Sequence, residues 1–167
     1  MEHKTELIFL LFILLVVAFS SCNIFPKSFL PQYGEDSTEV LEDISTKLQE
    51  KPVLITFGSD SCGACQQQDI VLGYLENKYI ESVYFVHIDV DEHPRLAGTF
   101  GVYLIPDTSV IVMEEDGQFL YMGYDGNVST DRLTSRAIGL TDADALSSIL
   151  DMSIDYRKSG TVVHNIS

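Results

Sequence analysis

Two cysteines, Cys62 and Cys65, stand two residues apart in the stretch ITFGSDSCGACQQQ. Such a pair can bind zinc, close a small structural loop or exchange electrons with another disulfide. Zinc needs four ligands, and neither the third cysteine, Cys22, nor the histidines add a second motif at ligand spacing. A structural disulfide over so short a loop would constrain the unfolded chain little. The spacing therefore favours redox exchange and leaves a structural disulfide as the alternative.

The redox interpretation depends on where the two sulfurs lie relative to a helix. The run VLITF, Val53–Phe57, predicts a strand buried on both faces, and the apolar spacing after Cys65 predicts a helix to Tyr79. If Cys62 lies at the first turn, free backbone N–H groups and the helix dipole stabilise its thiolate. The pKa of Cys62 should then fall from about 8.5 toward neutrality. We expect Cys62 to be the nucleophile and the shielded Cys65 to be the resolving thiol.

Strands and helices alternate in the rest of the chain, which indicates an α/β protein with a parallel strand pair followed by an antiparallel pair. Asp116 and Gly117 suit a hairpin turn with positive φ, and Thr141 is the expected N-cap of the last helix. The other predicted elements are helices over Ser37–Glu50, Pro94–Phe100, Thr130–Ala137 and Asp142–Arg157, and strands over Val83–Asp89, Ser109–Glu115 and Gln118–Gly123.

These motifs together resemble those of the thioredoxin family over about Glu39 to Ile154. The resemblance rests on a strand followed by CGAC at a helix start, the segment GVYLIP that ends at Pro106, a hairpin and a terminal helix. It implies a thioredoxin-like three-layer α/β/α sandwich with a mixed central sheet of about four to five strands. It also implies a thiol:disulfide oxidoreductase of the reductase or isomerase type.

The resemblance further implies a substrate-binding surface beside the cysteines. The Ile105–Pro106 peptide should be cis and packed against the disulfide, since only a prolyl bond takes the cis form at so small a penalty. Ile105 would offer backbone hydrogen bonds to an extended substrate segment. Gly63 and Ala64, small enough to let the two sulfurs meet, complete this set.

Three positions depart from the family pattern near the cysteines. Ser61 stands where the family usually has tryptophan, and Thr56 aligns with the buried acid that accepts the proton of the resolving thiol. His87 aligns with a lysine near that acid. His87 can be interpreted as a proton relay or as an ordinary strand histidine.

Two acids stand near these residues in the sequence. Asp60 comes shortly before Cys62, and Asp107 directly follows Pro106. Negative charge near Cys62 disfavours its thiolate and so stabilises the disulfide relative to the dithiol. This predicts a low, reductant-like potential that Asp107→Asn should raise. The alternative is that both acids are solvated and screened.

The chain begins with a candidate export segment. The apolar run Leu7–Phe19 is followed by Ser20, Ser21 and Cys22, as in a secretory signal. AFSSC resembles a lipobox, which implies lipidation of Cys22, and an uncleaved anchor over Leu7–Phe25 is the alternative. We expect a leader or anchor over 1–22, a tether over 23–36, a folded domain over 37–158 and a loose tail over 159–167. The domain would face outward in the cell envelope, at the outer face of the cytoplasmic membrane or in a periplasm-like space.

The charge of the chain limits its partners. A formal charge of −15 from 25 acids and 10 bases argues against nucleic-acid binding. The expected partners are cysteine-containing exported proteins and an upstream electron donor or acceptor. The membrane is one candidate location of that donor or acceptor. We expect no cofactor beyond the redox-active Cys62–Cys65 disulfide. A non-catalytic binding or chaperone module with a static disulfide is the main alternative, and copper delivery lacks a supporting histidine or methionine motif.

Overall fold

The protein is described by a computed structural model that covers residues 35–164, with side chains described over 37–160. The predicted leader, Cys22 and nearly all of the tether lie outside the described residues. The helices are α1 Glu35–Lys47, α2 Gly63–Tyr79, α3 Pro94–Thr99 and α4 Ala143–His164, and the strands are β1 Val53–Gly58, β2 Tyr84–Asp89, β3 Asp107–Glu115, β4 Gln118–Met122, β5 Val128–Ser129 and β6 Arg136–Ile138.

The central element is β1, which is buried along the whole of its VLITF run. Its β-branched and apolar residues suit a strand that is covered on both faces. β1 pairs in parallel with β2 and antiparallel with β3, so Thr56 lies between His87 on one side and Thr108 on the other. The sheet order is β2-β1-β3-β4-β5, and β6 also pairs with β3.

Helices cover both faces of the sheet. On one face, Leu72 and Leu75 of α2 and Leu146 and Ile149 of α4 pack in one apolar cluster with Leu54 of β1. The second cluster joins residues of α1, α3 and the other face of the sheet, including Ile44, Leu48, Ile55, Leu96 and Phe100. Alternate residues of β1 thus point to opposite helix layers. The result is the predicted three-layer α/β/α sandwich.

The β3–β4 hairpin forms where the Asp-Gly pair predicted it. Asp116 has φ of 50° and Gly117 has φ of 74°, both in the left-handed region that a tight two-residue turn requires. The turn sets the register from Glu115 opposite Gln118 to Met113 opposite Leu120, and an irregularity between Ile111 and Met113 shifts it before Val110 meets Met122.

The helix predicted over Thr130–Ala137 is wrong. This part contains a 3₁₀ turn at Arg132–Thr134 and then strand β6, which pairs with Asp107–Ser109 at the start of β3. The segment has no apolar stripe of helical spacing, and its arginines bond to distant groups instead of forming a helix surface. Together with the two-residue β5, it gives the sheet six strands within residues 35–164, where four to five were expected.

The final helix begins and ends at other residues than predicted. The Asp142 carboxylate accepts a hydrogen bond from the Ala145 N–H at 2.8 Å, so Asp142 occupies the capping position expected for Thr141. The helix continues past Arg157 to His164, so the predicted loose tail is helical up to that residue. Among the described residues, no helix has the length and apolar character needed to cross a bilayer.

Candidate functional site

Cys62 and Cys65 form a disulfide at the start of α2, with their Cα atoms 5.2 Å apart. Cys62 has an extended backbone and is the N-cap of the helix, which begins at Gly63. Its sulfur accepts a hydrogen bond from the Cys65 N–H at 3.1 Å. The first N–H groups of a helix have no intrahelical partner, so they are free to stabilise charge on that sulfur. The predicted position of Cys62 at the helix start is confirmed.

The two sulfurs differ in access. Cys65 is 3% exposed, whereas Cys62 is partly exposed and is followed by the exposed Gly63 and Ala64. Gly58, at the end of β1, packs against Cys65, and a Cβ at this position would lie 3.6 Å from the Cys65 sulfur. A large reactant can therefore approach Cys62 but not Cys65.

The loop before β3 lies next to Cys62. The Ile105–Pro106 peptide is cis, as the resemblance implied. The Cys62 sulfur lies 4.0 Å from the carbonyl oxygen of Ile105. Tyr103 and Leu104, in the same loop, are largely exposed. The disulfide thus borders the Ile105 carbonyl, and the same loop carries exposed apolar side chains that an extended peptide could contact. The substrate-binding role of these residues stays a prediction.

Two neutral hydroxyl groups lie at the position aligned with the family's buried acid. Thr56 and Thr108 are both buried, and their Oγ1 atoms are 2.9 Å apart, within hydrogen-bond distance. Each hydroxyl thereby has a partner in the core, as a buried polar group requires. A carboxylate that could take the Cys65 proton is absent from this pair.

A cleft of about 210 Å³ opens beside the buried sulfur. Its lining includes Cys65, Thr56, His87 and Asp60. His87 and Asp60 are both exposed. The cleft gives solvent a route toward Cys65, and the relay role of His87 and the tuning role of Asp60 stay predictions.

Asp107 does not act as the uncompensated charge that the sequence suggested, nor is it solvated. Its side chain is fully buried and contacts Arg132 Nη2 at 2.5 Å and Arg136 Nη1 at 2.8 Å. Two guanidinium groups offset its negative charge, so the structure does not support an effect of Asp107 on the disulfide through an uncompensated charge, and its tuning role stays a prediction. A buried carboxylate needs such partners because of the cost of removing it from water.

Sequence reasoning missed Arg132 and Arg136 as site residues. Both come from the segment that follows β4, and their side chains are 6% and 3% exposed. An acid at the first position of a buried strand was the available signal, because a buried charge must find a counter-charge. Within the described residues, no group of three or more His, Cys, Asp or Glu side chains is placed to hold a metal ion.

Comparison with known proteins agrees with this architecture. The family model named Thioredoxin matches residues 36–138, more than half of the chain. Thioredoxin from Listeria monocytogenes is 30% identical over 88 residues, covering 52% of this chain and 82% of that protein.

Solved structures give the same assignment. A thioredoxin variant from Halobacterium salinarum has a TM-score of 0.50 and 26% identity, with 68% of this chain and 82% of that chain covered. Fasciola hepatica thioredoxin is similar in fold, with a TM-score of 0.51, 19% identity and coverage of 69% and 93%. The chain therefore belongs to the thioredoxin family of thiol-disulfide oxidoreductases and is a thioredoxin-type redox protein with a CxxC-spaced disulfide between Cys62 and Cys65.

Proposed function

We propose that this protein reduces or isomerises disulfides of exported proteins, with Cys62 as nucleophile and Cys65 as resolving thiol. The observation that carries the proposal is the place of the Cys62 sulfur, which accepts the Cys65 N–H at the start of α2. The same sulfur is the accessible one of the pair and lies 4.0 Å from the Ile105 carbonyl oxygen. A substrate strand along this loop would bring its own disulfide to Cys62.

The reaction starts from the reduced form. The Cys62 thiolate attacks one sulfur of the substrate disulfide, the substrate S–S bond breaks, and a mixed disulfide forms. The other substrate sulfur leaves as a thiolate and takes a proton from solvent. In isomerisation, that thiol or another thiol of the substrate attacks the mixed disulfide and releases Cys62.

Reduction is completed by Cys65. Cys65 loses its proton and attacks the Cys62 sulfur, and the second substrate sulfur leaves as a thiolate that solvent protonates. Two electrons have then passed to the substrate, and the Cys62–Cys65 disulfide seen in the structure remains. The cleft beside Cys65 is the route by which solvent takes the proton, because neither Thr56 nor Thr108 carries a carboxylate that could accept it.

We place the protein in the cell envelope, at the outer face of the cytoplasmic membrane or in a periplasm-like space. The apolar run Leu7–Phe19 and the AFSSC stretch support this placement. Lipid on Cys22 or an uncleaved leader would supply the anchor. Cysteine-containing exported proteins are the substrates, and a separate electron donor returns the oxidised cysteine pair to the dithiol, with no further cofactor.

The test uses the full chain, purified in detergent, with insulin as substrate and dithiothreitol as reductant. We expect faster insulin reduction than with dithiothreitol alone. We also expect Cys65→Ser to accumulate mixed disulfides with envelope proteins, because the resolving step is blocked. The double variant Cys62→Ser/Cys65→Ser keeps Cys22 and should trap nothing, which controls for capture through that residue.

A non-catalytic binding module is the second candidate. The neutral Thr56–Thr108 pair favours it, since the resolving thiol lacks a buried acid there. Absence of turnover together with absence of trapped partners would support the binding module and contradict the oxidoreductase. Partners count as absent when Cys65→Ser captures no more protein than the double variant does.

A further inference from the structure

A buried ionic cluster joins the segment after β4 to the start of β3. The Asp107 carboxylate lies between two guanidinium groups, with Oδ1 at 2.5 Å from Arg132 Nη2 and Oδ2 at 2.8 Å from Arg136 Nη1. One carboxylate cannot use all the donors of two guanidinium groups. The remaining donors must find neutral acceptors, because buried donors without partners are costly.

Two of these donors bond to backbone carbonyls at the other end of the cis-proline loop, defined here as residues 101–106. Arg132 Nη1 donates to the Phe100 carbonyl at 2.9 Å, and Arg136 Nη1 donates to the Gly101 carbonyl at 3.0 Å. Arg132 Nε donates to the Ser109 hydroxyl at 3.0 Å, and the buried Arg136 Nε has no hydrogen-bond partner. Asp107 directly follows the loop. The same two side chains therefore hold the residues at which the cis-proline loop begins and ends.

Further contacts connect the segment after β4 with the body of the loop. The N–H of Gly139 donates to the Pro106 carbonyl at 2.7 Å. The guanidinium carbon of Arg136 lies 4.6 Å from the ring centre of Tyr103, within the range of a cation–π contact. Tyr103 is the exposed aromatic residue of the loop. The ionic cluster thus reaches the surface that lies beside the disulfide.

Stability alone is a weak reason for this arrangement. A buried ion cluster is often no more stable than apolar side chains of similar volume, because the charges must be removed from water. Two guanidinium groups instead fix the positions of the residues that they bond, since each has planar, directional donors. The geometry fixed here belongs to the loop that carries the Ile105 carbonyl, 4.0 Å from the Cys62 sulfur.

We propose that Asp107, Arg132 and Arg136 form a clamp that positions the cis-proline loop against Cys62 and thereby sets affinity for protein disulfides. The clamp rests on the proposed function, because the loop is where the substrate strand would bind. Its residues touch no reacting atom and are positioning residues. Loosening the clamp should weaken binding of a protein substrate much more than it slows reaction with a small disulfide, which needs only the exposed sulfur.

Two variants of the full chain test the clamp. Both bonds of Arg136, to Gly101 and to Asp107, are made by Nη1. Arg136→Lys keeps the charge, but the lysine side chain is one bond shorter and its nitrogen does not reach the position of Nη1. The triple variant Asp107→Leu/Arg132→Met/Arg136→Met removes the clamp without leaving an unpaired buried charge. Arg157→Met is the matched control, because Arg157 donates to the Val112 carbonyl of the same strand β3, at 2.6 Å.

The readouts separate positioning from general stability. For insulin we expect KM to rise by about fivefold to a hundredfold, the scale of a misplaced binding group. The rate with hydroxyethyl disulfide should change by less than about twofold, which would show that the sulfur chemistry is intact. Hydrogen exchange should quicken at the amides of residues 101–105 in both clamp variants and stay unchanged there in the control; Pro106 has no N–H to exchange.

The outcomes are distinct for the clamp and for the proposed function. An unchanged KM for insulin together with unchanged exchange at 101–105 in Arg136→Lys and the triple variant overturns the clamp. If the triple variant does not fold, Arg136→Lys alone decides. Failure of the wild-type chain to reduce insulin, together with absence of partners trapped by Cys65→Ser, contradicts the proposed function instead. The exchange measurement then still tests whether the cluster holds the loop.

Discussion

The sulfur of Cys62 accepts a hydrogen bond from the backbone N–H of Cys65, 3.1 Å away, at the first turn of α2. This single relationship separates the roles of two chemically identical groups. Cys62 meets the positive end of the helix and partly faces solvent, whereas Cys65 is enclosed behind Gly58. The separation supports attack through Cys62 and release through Cys65.

The Thr56–Thr108 pair should behave as one coupled unit in the core. Thr56→Val leaves the Thr108 hydroxyl buried without its partner, so we expect a loss of about 1–3 kcal/mol in the free energy of unfolding. The double variant Thr56→Val/Thr108→Val leaves no orphaned hydroxyl and should cost less than the sum of the two single variants. Urea unfolding of all four proteins measures this coupling. Simple additivity would mean that the hydroxyls do not depend on each other.

Asp60 is the remaining acid of the two that were expected to tune the disulfide. It is exposed and lines the cleft with Cys65, so its charge acts through solvent. Asp60→Asn should raise the reduction potential, by less than about 30 mV, and the difference should shrink at high salt. Equilibration with glutathione measures the potential. Asp155→Asn is the control, since Asp155 lies with Tyr79 near the far end of α2. An equal rise of the reduction potential in both variants would exclude a local effect of Asp60.

Tyr121 should limit stability in alkaline solution. It is 6% exposed, and burial raises its pKa from 10.0 to about 12, with the charge of Arg132 opposing that rise. Between about pH 10 and pH 12 the unfolded chain loses this proton while the folded chain keeps it, so stability falls as pH rises. The Tyr121→Phe variant has no group to ionise at this position. Its free energy of unfolding should therefore fall less across this window than that of the wild type, by up to about 2 kcal/mol. Denaturant unfolding at pH values on both sides of the window measures the difference, and parallel losses in both proteins would exclude Tyr121 as the cause.

The elements around the disulfide could be predicted because each carries its own local signal. VLITF is an apolar run too short for a helix and too uniform for a half-exposed strand, and β1 is buried on both faces. The Asp116–Gly117 turn depends only on the backbone freedom of those two residues. The helix start at Cys62 followed from the strand that ends just before it.

The segment between β4 and α4 could not be predicted in this way. Its strands β5 and β6 are two and three residues long, too short for a recognisable hydrophobic pattern. β5 pairs with β4, and β6 pairs with the start of β3. Beside β6, Arg132 and Arg136 bond to Asp107, which lies 25 and 29 residues earlier in the chain. The sequence shows three charges but not the distances between them, so Asp107 was interpreted as a free charge near Cys62. Only the folded arrangement shows that its charge is offset.

The most direct test of the central claim is the pH dependence of alkylation at Cys62 in the reduced full chain. Iodoacetamide reacts with the thiolate, and mass spectrometry distinguishes Cys62 from Cys65 and Cys22. If the helix start stabilises the Cys62 thiolate, its alkylation should have a midpoint at least about one pH unit below the 8.5 of an ordinary thiol, while Cys65 reacts slowly. A midpoint for Cys62 at or above about 8.5, or faster alkylation of Cys65 than of Cys62, would contradict the account.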